Sequence, residues 1–172
     1  MNTLLAVAVL FAGASLGVSS GIQQANPPAT SHDEHHQGVN DRGDKAMGFS
    51  HEKATHHFSL YTDGGAIEVN ANDAKDTDTR DQIRAHFMHI ATMFADGNFE
   101  IPMLVHAKNP PGADVMTRLK AEIHYDLEPT AQGARLRITS ENKEALSGIH
   151  KFLAFQIKDH QTGDSTAITK SH

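Results

Sequence analysis

Apolar and polar positions alternate from His56 to Thr62, where Phe58 and Leu60 fall between His57, Ser59 and Tyr61. Asp63-Gly64-Gly65 follows and predicts a hairpin turn, because glycine takes positive φ at no steric cost. Beyond it, Ile67, Val69 and Ala71 alternate with Glu68 and Asn70. The pattern returns downstream. Ile123, Tyr125 and Leu127 alternate with Glu122, His124, Asp126 and Glu128, and after a turn through Pro129 to Gly133, Leu136 and Ile138 alternate with Arg135 and Arg137. A period of two with one wet face predicts half-buried antiparallel strands.

Each hairpin is followed by a helical pattern. The first helix is expected from about Arg80 to Ala95, with Thr79 and Gln82 offering a capping box and Gly97 a stop. The second is expected from about Lys143 to Asp159, with Asn142 as N-cap. The linker at 98–120 holds a short apolar run, Ile101 to Val105, then a Pro110-Pro111-Gly112 turn and room for one or two further helical turns. The fold class is therefore α+β: two tandem β-hairpin–helix units (ββα-ββα), forming an antiparallel sheet with the helices packed on one face.

The ends of the chain differ from this middle. Residues 1–20 carry no charged side chain and contain a continuous apolar run from Leu4 to Phe11. They read as a signal peptide cleaved near Gly21, which predicts a periplasmic or secreted protein. The run is short for a bilayer span and no Lys or Arg flanks it, so no stable membrane anchor is expected. Residues 21–47 are nearly devoid of apolar side chains and read as a flexible His-rich leader. A single α+β domain is expected over 48–163, and 164–172 as a disordered tail.

Composition narrows the chemistry. The 172-residue chain has 15 Lys and Arg against 21 Asp and Glu, and this net charge of −6 argues against a nucleic-acid partner. With no cysteine there is no disulfide, thiolate nucleophile or Fe–S cluster. No P-loop, G-x-G-x-x-G, G-x-S-x-G or H-E-x-x-H motif is present. What stands out is thirteen histidines, nearly as many as Lys and Arg together.

His86, His89 and Met93 fall within roughly 60° of one another along one edge of the first long helix, beside the apolar stripe of Ile83, Phe87, Ile90 and Phe94. Two imidazoles and a thioether suit a copper ion, and zinc or nickel would use the histidines alone. Met103 and His106 repeat the Met/His chemistry in the linker. His57 and His124 are placed on the polar sheet face near Glu68, depending on strand order. In the leader, His32, His35 and His36 with Asp33 and Glu34 form a loose antenna for metal ions. His150 lies on an apolar stripe and reads as a hydrogen-bonded core residue. Phe152 and Phe155 give the second helix apolar surface on a further face, which predicts a homodimer contact.

These residues support an exported copper-class metal buffer or chaperone, with no catalytic residue assigned. Two alternatives stand beside it: a haem or small-molecule binding module with an apolar groove, and an enzyme using a histidine base. In all three, titration of many histidines makes the surface charge sensitive to mild acid.

Overall fold

In the computed structural model, residues 31–171 are described. The expected signal peptide, its cleavage near Gly21 and the start of the leader lie outside them. The elements are α1 (Ser31–Met47), β1 (Ala54–Tyr61), β2 (Gly64–Ala71), α2 (Thr77–Ala95), α3 (Glu100–His106), α4 (Ala113–Arg118), β3 (His124–Pro129), β4 (Gly133–Thr139), α5 (Lys143–Asp159) and β5 (Ile168–Thr169). This is the α+β, ββα-ββα arrangement that the alternation predicts. Among the described residues no helix is long and apolar enough to cross a membrane.

The strands lie in the order β3-β4-β2-β1-β5, antiparallel except where β5 runs parallel to β1. Period-two alternation puts Phe58, Leu60, Val69, Leu136 and Ile138 on the inner face, all buried beneath the helices. The cover is crosswise: α2, which follows the first hairpin, packs chiefly on β4 and β3, while α5, which follows the second, packs on β1 and β2. Each unit thus buries the other's hairpin. In α2, Asp76 is the N-cap, accepting from the backbone N–H of Thr79 at 3.0 Å, so the helix starts earlier than the Thr79 capping box suggests. Asn142 caps α5 as expected, accepting from Glu144 and Ala145.

Gly64 and Gly65 do not form the first turn. Thr62 and Asp63 make it, and the two glycines open β2 opposite Tyr61 and Leu60. Their lack of a Cβ serves packing. At Gly64 (φ 145°) a Cβ would run into the carbonyl of Ile138 on β4, and at Gly65 into Leu153 of α5.

Both ends depart from the sequence expectation. Where a flexible leader is expected, Ser31–Met47 forms α1. Its composition is polar, but Val39 is 1% exposed and Met47 packs against the core, so a narrow stripe suffices to dock it. Gly48 (φ 79°) ends the helix in the left-handed conformation. Where a disordered tail is expected, Asp164 accepts from the backbone N–H of Phe58 at 2.9 Å, and β5 pairs with Leu60 and Tyr61. The free edge of β1 supplies the unpaired groups that hold this segment.

A histidine-lined interior cavity

Between the sheet and the helices lies a cavity of about 90 Å³. Its floor is Phe58, Ile67, Val69 and Leu136 from the sheet, and its sides come from Phe87, Ile90 and Phe94 of α2 and Phe152 of α5. The outer wall is α1, through Gly43 and Met47, and α3, through Pro102 and Val105. Into this apolar space face His56, His86, His106 and His160, with Gln156.

Strand geometry sends His56 inward. It shares a face with Phe58 and Leu60, whereas its neighbour His57 points out. The His56 and His160 rings lie parallel with centroids 5.7 Å apart, and His160 meets His106 edge-on at 4.9 Å. The Phe49 ring lies 6.3 Å from the His56 ring and 5.9 Å from that of His86. Burial, helped by the positive fields of His51 and His57, lowers the pKa of His56 to about 4. Burial beside His56 and His89 does the same for His86, also to about 4. Both rings are therefore neutral at neutral pH. Among the described residues no hydrogen bond engages their nitrogens, so each presents one donor and one acceptor.

His106 is different, with 1% exposure and both nitrogens engaged. Nδ1 donates to Oδ2 of Asp159 at 2.6 Å, and Nε2 lies 2.8 Å from the side-chain amide of Gln156, whose NH2 group donates to it when the amide is turned, which also gives the buried Gln156 Nε2 its partner. Asp159 also accepts from Lys108 Nζ at 3.2 Å and is met by His35 Nε2 at 3.2 Å. Burial pushes this carboxyl's pKa up, but the hydrogen bonds from His106, Lys108 and His35 outweigh it and bring the value down to about 2. One carboxylate on α5 thus ties down α1 and α3, the outer wall of the cavity. Arg42 Nε adds a bond from α1 to the Val105 carbonyl at 2.8 Å.

The residues expected to hold a metal do not come together. His86 faces the cavity, but His89 is exposed on the solvent side of α2, and Met93 packs against the core. Met103 and His106 sit on the short helix α3, with Met103 43% exposed and His106 engaged by Asp159 and Gln156. His57 pairs with Asp164 at 3.0 Å. It stands opposite Glu68 across β1 and β2, yet His124 lies on edge strand β3 opposite Thr139, separated from β1 by two strands. Among the described residues no group of three or more His, Asp or Glu is placed to hold a metal ion.

His150 keeps its expected role, with Nε2 donating to the carbonyls of Tyr61 at 2.8 Å and Gly64 at 3.0 Å. Phe152 cannot serve a homodimer contact, because it is 1% exposed and packed against Phe94 and Phe99. Phe155 carries His106 edge-on at 4.9 Å and lies beneath Lys108 Nζ.

Sequence reasoning sees that His56 and His57 face opposite ways but gives His56 no site, and it passes over His160, Gln156 and Asp159. The signal for His56 is its place two residues before Phe58 on the inward face. For His160 it is the continuation of the Leu153–Ile157 stripe by three residues. No protein-family model, curated protein or solved structure matches this chain.

Proposed function

We propose that this protein binds a small, predominantly apolar molecule in its interior cavity, the second of the readings open from the sequence. One observation carries it: an apolar space between sheet and helices into which the neutral imidazoles of His56 and His86 project without a hydrogen-bonding partner among the described residues. Protein cores are close-packed. Side chains lining a space of about 90 Å³ that holds no protein atoms forgo packing contacts there. Two half-desolvated imidazoles add to that cost. A bound molecule offsets both.

The size of the space bounds the occupant. Drug-sized ligands use pockets of roughly 300–1,000 Å³, and a dry engineered cavity of roughly 150 Å³ takes benzene. The part of the molecule that the inner space takes is therefore a short chain or one small ring. A general-base role for His106 gains no support, since both its nitrogens are taken. The test is a titration of the full chain with pentane and with benzene, followed by NMR of the Ile67, Val69, Ile90 and Val105 methyl groups. Saturable shifts confined to these methyls are expected. Their absence for both hydrocarbons refutes the reading.

A further inference from the structure

Resting on that reading, the structure points to the chemical class of the ligand. A second space of about 280 Å³ adjoins the cavity on the side of α1 and the start of β1. Gly43, Met47, His56 and His160 line both spaces, so they meet at a common wall. Their characters differ. The inner space is walled by phenylalanines and aliphatic side chains, whereas the outer cleft adds Asn40, His51, Thr55 and Thr162. Neither space is lined by a Lys, Arg, Asp or Glu side chain. Asp44, whose charge acts on His56, is already occupied by the backbone N–H of His51 at 2.7 Å and its Nδ1 at 2.9 Å.

We propose that the ligand is an uncharged amphiphile, its short apolar end in the inner cavity and its hydroxyl-type polar end in the cleft beside His56. A charged head would lose hydration there without a fixed partner of opposite charge, a cost that the lining does not return. A hydroxyl needs one acceptor and one donor, and neutral His56 offers both. A purely apolar molecule would fill the inner space and leave the His56 nitrogens unmatched. Selectivity therefore follows from the head group at constant chain length.

The experiment is isothermal titration of the full chain at neutral pH with pentane, pentanol, pentanoate and pentylammonium. The expected order is pentanol first, ahead of pentane by about tenfold, the worth of one good hydrogen bond to a buried group, and further ahead of both ions. In His56→Phe, which keeps an aromatic ring but removes both polar nitrogens, pentanol should fall to the affinity of pentane while pentane is retained. Equal affinities for pentane and pentanol in the wild type, or tightest binding of either ion, overturn the inference and leave the hydrocarbon cavity standing. If neither pentane nor pentanol binds, both the inference and the reading beneath it are refuted. The wild-type series decides the matter even if His56→Phe does not fold.

Discussion

Asp159→Asn tests how the outer wall of the cavity is held. Asparagine keeps the volume of the side chain and can still accept from His106 Nδ1, so the change isolates the charge. In the folded chain His35, His106 and Lys108 converge on this carboxylate, and its pKa falls from 3.8 to about 2. That drop is worth about 2 kcal/mol of folding free energy. The folded-state value lies below the unfolded one, so the contribution is complete above pH 3.8 and is lost as pH falls towards about 2. Urea unfolding followed by far-UV circular dichroism at neutral pH should show the variant weaker by about 2 kcal/mol, and a thermal melt should shift down by about 4–8 °C. Between pH 3.8 and 2 the wild type should lose this increment, and the variant should have none to lose. A variant within about 0.5 kcal/mol of wild type at neutral pH, or one with the same acid limb, would refute the reasoning.

Three further outcomes are expected. Gly64→Ala should cost about 3 kcal/mol or more in urea unfolding, because the new Cβ meets the Ile138 carbonyl and pries β4 from β2. His56 and His86 refuse protons until pH about 4 whereas the unfolded chain takes them up near 6.5, so stability should fall as pH drops through that interval. Replacing His56 by Phe should flatten the fall, as read from urea midpoints across the interval. Val69→Ile adds one methylene to the cavity wall and should raise stability by about 0.8 kcal/mol while weakening pentane binding, seen in paired melts and titrations.

The hairpins and the two long helices were readable because their buried faces repeat at the period of the element: Phe58, Leu60, Ile67 and Val69 at two, Ile83, Phe87, Ile90 and Phe94 at three and four. Helix α1 offers no such repeat. Its docking depends on Val39 and Met47, on a glycine where α3 comes close, and on His35 reaching an aspartate 124 positions away. No local pattern encodes a partner at that distance. The cavity was half readable. Alternation alone turns His56 inward, but its pairing with His160 requires the end of α5 to lie over the start of β1, which depends on the crosswise packing. The metal reading rested on helical proximity of His86, His89 and Met93, and proximity on a helix edge does not fix direction: His86 turns to the cavity and His89 to water.

The crosswise cover links the cavity to the folding of the whole chain. α2 spans the second hairpin and α5 the first, so neither ββα unit can bury its own sheet face alone. Both units line the cavity, through Phe58, Ile67 and Phe87 from the first and Leu136, Phe152 and Gln156 from the second. The space therefore comes into being only when the two units interlock. Its outer wall is supplied by α1 and α3, which belong to neither repeat and are tied to α5 through Asp159. An element joined by few buried side chains and one ionic hub opens at lower free energy than the sheet it covers. On the proposed reading, the polar contacts of α1 and α3 would set the rate of access to the interior, and the apolar packing of the two units its shape. Weakening Asp159 should accordingly quicken ligand exchange far more than it alters which ligand is preferred.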